Sequence, residues 1–150
     1  MKELFNSIVD IGEQMLINGA EVHRVEESIE RMGKALGAER TDVFIITSSM
    51  LVTFYMQNGE HSTQTRRIKS TSTDFEVIHR LNDLSRSICE KNLTLEEIRE
   101  SFNKALSCKK YSFSIECLAY SVIAGAFTLF FGGGLVEMIV SMAVGLIVRL

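Results

Sequence analysis

The feature that most constrains this chain is an apolar run near its carboxyl end. Residues 112–131 contain a single charge, Glu116. About 20 consecutive apolar residues are needed for a helix to cross the hydrocarbon core of a bilayer. A helix satisfies all of its own backbone polar groups, so it is the form that such a run takes in lipid. The run therefore predicts a first membrane span at residues 112–131.

A second apolar run follows after three glycines, Gly132, Gly133 and Gly134. These glycines break the helix and are expected to form the turn of a hairpin. The second run, residues 135–150, carries one acidic residue, Glu137, and is short for a span. It is either re-entrant or completed by residues beyond the end of this sequence. We therefore expect a fragment of a longer, multi-pass membrane protein.

Residues 1–110 have a different composition. All charged residues except Glu116, Glu137 and Arg149 lie in this part, which predicts a soluble domain at 1–110 and a membrane domain at 111–150. The soluble part has no cluster of basic residues, which argues against a nucleic-acid partner. Neither the spacing of the three cysteines nor any phosphate-binding glycine motif indicates a metal or a cofactor.

Basic residues at the ends of the two apolar runs indicate the orientation. Lys109 and Lys110 come directly before the first run, and Arg149 ends the second. In a hairpin these residues lie on the same side of the membrane, and the positive-inside tendency assigns that side to the cytoplasm. The soluble domain is therefore predicted to be cytoplasmic.

The soluble part shows helical and strand patterns in the order ααβββαα. Apolar residues at intervals of three and four predict the helices, and runs of β-branched and aromatic residues predict a small antiparallel sheet. Asn58-Gly59 indicates a hairpin turn, and Thr73-x-x-Glu76 and Thr94-x-x-Glu97 are capping boxes. The predicted helices lie at 2–17, 21–36, 73–90 and 94–107, and the strands at 42–47, 50–57 and 62–69. The fold class is therefore α+β, followed by an α-helical transmembrane hairpin.

The second predicted helix carries a charged face. Four residues, His23, Glu26, Glu27 and Glu30, fall within one arc of a helical wheel. No second histidine or cysteine accompanies them. One histidine with three carboxylates could bind a divalent cation, or the carboxylates could raise the pKa of the histidine. The pattern is better explained by a solvated face with ion pairs between residues four apart, His23–Glu27 and Glu27–Arg31. No metal site is predicted.

Four segments of the sequence resemble a known family. They are "GAEVHRVEESI", "DVFIITSSMLVTF", "RRI" and "LFFGGGLVEM", and in this order they resemble the amino-terminal part of the threonine/serine exporter family of bacterial inner-membrane proteins. The resemblance implies a cytoplasmic domain, further membrane helices, and a second membrane half that is fused or a companion subunit. It implies export of threonine and serine, or of a dicarboxylate such as succinate in two-subunit relatives. A hydrolase-like role of the soluble domain is also among its implications.

The resemblance draws attention to Gly19, Glu21, Arg24 and Glu26, and to Arg67 in "RRI". Gly19 suits a turn between two helices. Arg24 is either an anchor for a carboxylate of a substrate or neighbouring domain, or a clamp that fixes the helix hairpin, and we favour the clamp. Because Arg67 and its neighbour Arg66 are adjacent in a strand, they face opposite sides of the sheet. These motif residues are expected to be structural.

Glu137 and Ser141 are the candidate transport residues. They lie four residues apart on one face of the second apolar run. A carboxylate within the hydrocarbon is costly and usually faces a bundle interior or water. Glu137 is therefore a candidate for binding the substrate ammonium or carrying a coupling proton. The alternative is that it lies at the membrane interface, one turn after the glycines.

These observations lead to one principal function and two alternatives. The principal function is a component of a bacterial inner-membrane secondary exporter of small polar metabolites, without enzymatic activity. Its partners would be membrane lipid, a small-molecule substrate, a second membrane half or companion subunit, and a further copy of itself. One alternative is a membrane-tethered hydrolase, although no G-x-S-x-G nucleophile motif is present. The other is a cytoplasmic oligomerisation or regulatory domain.

Overall fold

The computed structural model describes residues 2–91, 93–107 and 111–149. Within these residues the chain forms six helices and one three-stranded antiparallel sheet. The chain divides into two compact units, residues 1–108 and 109–150, close to the boundary predicted at residue 110. The order ααβββαα predicted for the first part is the observed order. Lys109 and Lys110, on which the predicted orientation depends, lie outside the described residues.

The first two helices form a hairpin around a glycine turn. Helix α1 spans Lys2–Ile17 and helix α2 spans Val22–Ala35, within a residue of the predicted bounds. Gly19 has φ +93°, a left-handed conformation that glycine adopts without a steric penalty. The amide of Ala20 donates to the carbonyl of Met15 at 2.9 Å, which satisfies a carbonyl that the helix end leaves free.

The sheet is a meander of β1 (Arg40–Ile46), β2 (Ser49–Tyr55) and β3 (His61–Arg67). Each strand begins one or two residues earlier than predicted. The turn at Asn58-Gly59 is present, but the connection is longer than a two-residue hairpin turn. The amide of Met56 donates to the carbonyl of Glu60 at 2.9 Å, so five residues join β2 to β3. The two-residue connection is the one at residues 47–48, between β1 and β2.

Helices α3 (Phe75–Glu90) and α4 (Leu95–Leu106) complete the first unit. The predicted capping box at Thr94 and Glu97 is confirmed. The one predicted at Thr73 is wrong, because the cap is Asp74, whose carboxylate accepts a hydrogen bond from the Val77 amide at 3.1 Å. Aspartate caps a helix at least as well as threonine. The Asp74 amide also donates to the carbonyl of Asn18 at 3.0 Å, which fixes the start of α3 against the end of α1.

Helix α1 lies at the centre of the hydrophobic core. Its residues Phe5, Ile8 and Ile11 are fully buried. The ring of Phe5 stacks on that of Phe54 in β2, with 4.3 Å between the centroids. Residues 50, 52 and 54 of β2 are all buried, so one face of the sheet covers this helix and the other face is left outside.

The second unit is a pair of helices, α5 (Phe113–Phe130) and α6 (Leu135–Arg149), joined by the predicted glycine turn. Among the described residues, α5 is the one helix that is long and apolar enough to cross a membrane. Helix α6 has 15 residues, which is about 22 Å at 1.5 Å per residue. A pair of helices is therefore present where a transmembrane hairpin was predicted, and one of the two has the length and composition of a span.

Candidate functional site

The two helices of the second unit pack through small side chains. The buried residues of α5 are Cys117, Ser121 and Gly125, which are small and lie at intervals of four along the helix. The buried residue of α6 is Gly145. Small residues at a helix interface allow the two backbones to approach closely, which is the usual basis of helix association in lipid.

The approach of the two backbones is close at two points. A Cβ atom placed on Gly145 would lie 2.7 Å from the carbonyl oxygen of Tyr120, so this glycine position has no room for a side chain. The hydroxyl of Ser121 donates to the carbonyl of Met142 at 3.0 Å. A side chain of α5 is therefore hydrogen-bonded directly to the main chain of α6.

Most of the remaining surface of this helix pair is apolar and exposed. Large exposed apolar patches on a protein mark surfaces that contact lipid or other protein. The exposed large hydrophobic residues of the pair are Phe113, Ile115, Leu118, Tyr120, Val122, Ile123, Phe127, Leu129, Phe130, Phe131, Leu135, Val136, Ile139, Val140, Val144, Leu146, Ile147 and Val148. A surface of this composition, on both helices, suits an apolar surrounding.

Glu116 and Arg149 form an ion pair that was not predicted from the sequence. The Nε of Arg149 donates to Glu116 Oε2 at 2.9 Å, and the guanidinium lies 5.5 Å from the ring centroid of Phe113. A signal for this pair exists in the sequence. Glu116 precedes the turn at Gly132 and Gly133 by the same number of residues by which Arg149 follows it. An antiparallel hairpin therefore places the two side by side.

Glu137 and Ser141 lie one turn apart on α6 and differ in exposure. Glu137 is exposed in the first turn of α6, and Ser141 is half-buried one turn later. The Glu137 carboxylate lies beside Gly134, 2.7 Å from where a Cβ of that glycine would stand. Gly132, Gly133 and Gly134 form the connection, and Gly132 has φ +86°. Glu137 is therefore at the turn end of the pair, opposite the end that carries Glu116.

The charged face of α2 is largely exposed. His23, Glu27 and Glu30 are exposed and Glu26 is half-buried. Throughout residues 2–91, 93–107 and 111–149, no group of three or more histidine, cysteine or acidic side chains could hold a metal ion. Among these residues the structure shows neither of the expected ion pairs, His23–Glu27 and Glu27–Arg31.

The motif residues at the start of α2 have an exposed setting. Glu21 precedes the first turn as the N-cap residue, and the side chain of Arg24 points outward. In the described part of the chain, no ion pair joins Arg24 to another residue, so the clamp predicted for it gains no support from contacts. Gly19 has a clear structural reason. A Cβ at this position would lie 3.0 Å from the carbonyl oxygen of Ser72.

Arg66, rather than Arg67, is the arginine that reaches a polar cluster. Its Nη2 lies 2.8 Å from Asp10 Oδ1, and its Nε is 3.6 Å from Glu13 Oε2, both on α1. Its side chain is 26% exposed, whereas Arg67 is exposed. Burial raises the pKa of the Glu13 carboxyl, and the nearby charge of Arg66 partly offsets this effect. Arg66 pairs with the buried Met50 across the strands, and this register turns it towards α1.

A cleft of about 390 Å³ lies next to Arg66, between α1, the end of β3 and α4. A second arginine, Arg99 on α4, faces it and contacts Glu3 on α1 at 3.3 Å. The residues lining the cleft are Glu3, Asn6, Ser7, Asp10, Arg66, Ile98, Arg99, Phe102 and Asn103. The first unit therefore has one cleft in which two arginines and two carboxylates converge.

One comparison with known proteins gives a match. The model of a protein family described as "Putative threonine/serine exporter" matches residues 6–150, which include both units. A search of curated proteins and a search of solved structures each gave no match.

Proposed function

We infer the function from the family: the chain belongs to the threonine/serine exporter family, and we propose that it is a component of a bacterial inner-membrane secondary exporter. Its cargo would be small polar metabolites, first of all threonine and serine. The family is one of exporters and not of enzymes, so we propose no catalytic residues. This function requires the second unit to lie in a membrane.

The observation that supports this proposal is the surface of the α5–α6 pair. Two apolar helices pack through small residues and hydrogen-bond through Ser121, while their large apolar side chains point away from each other. In water, an exposed apolar surface of this kind is unfavourable by roughly 25 cal/mol per Å². In lipid the same surface has no such penalty, and the small-residue contacts remain.

We propose that the transport path needs further membrane helices. Two helices in close contact, with Gly145 against the backbone of Tyr120, leave no space between them for a solute. The path would therefore form against a second membrane half or a companion subunit, which would cover part of the exposed apolar surface. Further copies of the chain are the other candidates for this role.

We propose that the first unit faces the cytoplasm, with Arg149 and the Lys109-Lys110 segment on the same side. Cys89 allows a test, because it is exposed on α3. In a Cys108→Ser background, a membrane-impermeant maleimide should label Cys89 only after the cells are permeabilised. Labelling of Cys89 in intact cells would reverse the orientation.

Glu137 is our proposed coupling or substrate-binding residue, with Ser141 beside it. Glu137 lies at the turn end of the helix pair, so it would meet a substrate ammonium or a proton at the mouth of the path and not in its middle.

An efflux assay tests the function and the role of Glu137 together. Cells that express the full-length gene are loaded with threonine-containing or serine-containing dipeptides, or with succinate, and the release of each solute is followed. Efflux of the amino acids supports the main proposal, whereas efflux of succinate alone would reassign the chain to the dicarboxylate exporters. Glu137→Gln should abolish or strongly reduce efflux, with Ser141→Ala as the milder variant. Wild-type efflux by Glu137→Gln would exclude the coupling role.

A further inference from the structure

The cleft between α1, β3 and α4 has the charge pattern of a site for a zwitterion. It presents two guanidinium groups, Arg66 and Arg99, and two carboxylates, Glu3 and Asp10. Each arginine contacts one of the carboxylates, Arg66 with Asp10 at 2.8 Å and Arg99 with Glu3 at 3.3 Å. The four charged groups that line the cleft therefore balance; Glu13, 3.6 Å from Arg66 Nε, is not part of the lining. A ligand with one positive and one negative group fits the balance of the lining.

The charged groups in the cleft have hydrogen-bonding capacity left. A guanidinium carries five N–H donors. Arg66 uses donors on Asp10 Oδ1 and on the carbonyl of Thr65, and Arg99 makes one long contact with Glu3. Both Nε and Nη2 of Arg66 bind the same oxygen of Asp10. Donors and carboxylate oxygens thus remain available to a ligand.

Two amide side chains in the wall are also available. In the part of the chain that the structure describes, the side-chain amides of Asn6 and Asn103 have no hydrogen-bond partner. Both lie at the cleft, where an amide can donate to or accept from a hydroxyl group. The apolar part of the wall comes from Ile98, which is 1% exposed, and from the half-buried ring of Phe102.

The size of the cleft sets the size of the ligand. Its volume of about 390 Å³ lies near the lower end of the range for small-molecule sites, roughly 300–1,000 Å³. A free amino acid with a short polar side chain fits this space. A dicarboxylate fits less well, because Glu3 and Asp10 would repel its two negative groups while each arginine already has an acidic partner.

We propose that this cleft binds a small hydroxylated amino acid as its zwitterion. The ligand carboxylate lies against Arg66 and Arg99, its ammonium group against Glu3 and Asp10, and its hydroxyl group against the Asn6 and Asn103 amides. The ligand joins α1 to α4, and α4 is the last helix before α5 in the chain. The site therefore acts as a sensor of the cargo amino acid in the first unit, a role that depends on the proposed export function, although the binding itself does not.

The test is a calorimetric titration of the full chain in lipid nanodiscs with four probes. These are serine, ethanolamine (the ammonium half alone), 3-hydroxypropionate (the carboxylate half alone) and succinate. Serine should bind, and each half-molecule should bind at least about tenfold more weakly, because it lacks one set of charge-assisted hydrogen bonds. Succinate binding as tight as that of serine would overturn the proposal.

Variants locate the binding to this cleft. Arg99→Gln changes an exposed side chain and should weaken serine binding about tenfold or more. The matched control is Arg67→Gln, which changes the arginine next to Arg66 on the opposite face of β3 and should leave the affinity unchanged. Equal affinity of wild type and Arg99→Gln would refute the proposal. Glu3→Gln provides a second variant, which should weaken serine and ethanolamine but not 3-hydroxypropionate.

The outcomes separate this inference from the export function. If efflux of threonine or serine is present but Arg99→Gln binds serine normally, the cleft is not a site and the exporter proposal stands. If Arg99→Gln loses serine binding but no amino acid leaves the cells, the site stands and the export function is wrong. If the export function and serine binding in the cleft are both correct, Arg99→Gln should shift the cytoplasmic serine concentration at which efflux begins.

Discussion

Replacing Gly145 by alanine should separate the α5–α6 pair, whereas the same change at Gly125 should be tolerated. A Cβ at Gly145 would stand 2.7 Å from the carbonyl oxygen of Tyr120 and 2.9 Å from the Cβ of Ala124. The first of these is a main-chain atom that cannot move independently. A Cβ at Gly125 would stand 2.6 Å from Met142 Cγ, which belongs to a flexible side chain that can rotate away.

The size of the effect follows from these distances. Carbon and carbonyl oxygen come to rest at about 3.3 Å, so the alanine at residue 145 would push the helices apart by roughly 0.6 Å locally. The same movement would lengthen the bond from Ser121 to the Met142 carbonyl, now 3.0 Å, to about 3.6 Å, beyond hydrogen-bonding distance. Overpacking of this kind costs about 1–3 kcal/mol. The gain in helix propensity from glycine to alanine, about 1 kcal/mol, is common to both variants and cancels in the comparison.

Cys117 provides the readout, because its thiol is buried between the two helices. In a Cys89→Ser, Cys108→Ser background, a membrane-permeant maleimide reports how often the pair opens. A difference of about 1–3 kcal/mol corresponds to labelling that is about 5- to 150-fold faster in Gly145→Ala than in Gly125→Ala. Equal labelling rates in the two variants would refute the close backbone packing on which this reasoning depends.

Three further predictions concern the first unit, and urea titrations at several pH values followed by circular dichroism can check all of them. Asp74→Ala should lower the free energy of unfolding by about 0.5–2 kcal/mol through loss of the α3 cap, while Thr73→Ala should change it little; the reverse order would restore the capping box inferred from sequence. Gln64 is buried, and its amide atoms have no partner among the described residues, so Gln64→Met should raise the free energy of unfolding by up to about 1–3 kcal/mol; a decrease would show that the amide is satisfied. Hydrogen bonds from the Thr94 amide and hydroxyl lower the pKa of Glu97. The charged Glu97 carboxylate therefore contributes to stability above the ordinary pKa of 4.5, and this contribution is lost as the pH falls through the lower folded-state pKa. Glu97→Gln should remove this part of the acid dependence, and an unchanged pH profile would contradict it.

The sequence predicts the helices of this chain well because their apolar residues have a clear period. Helices α1, α2 and α3 each bury a stripe at intervals of three and four, whereas the buried residues of α4 are Ile98 and Ala105. The turn at Gly19 and the cap at Thr94 are also predictable, since each depends on the chemistry of a few neighbouring residues. The start of α3 was not, because Thr73 and Asp74 are both good caps, and the contact of the Asp74 amide with Asn18 decides between them.

The polar cleft could not be found from the sequence, because β3 has no alternation of apolar and polar residues. Its segment, "HSTQTRR", is polar throughout, so nothing in it shows which side chains face the core. Shifting the register of a strand by one residue moves every side chain to the other face. The pairing of Arg66 with Met50 settles this register, and it brings Arg66, not Arg67, to Asp10. Arg99 is far from Arg66 in the sequence, so the sequence does not indicate that the two arginines share a cleft.

The charges of the second unit argue for where the membrane would lie. Of its charged residues, Glu116 and Arg149 neutralise each other at one end of the helix pair, and Glu137 stands at the other end, next to the glycine turn. The stretch of α5 between these ends, residues 117–130, and the facing part of α6 carry no charge. Helix α5 has 18 residues and is therefore about 27 Å long without the turn, near the thickness of the hydrocarbon core of roughly 30 Å. Glu137 is exposed at the turn end of the pair, which supports the proposal that it acts at the mouth of the path.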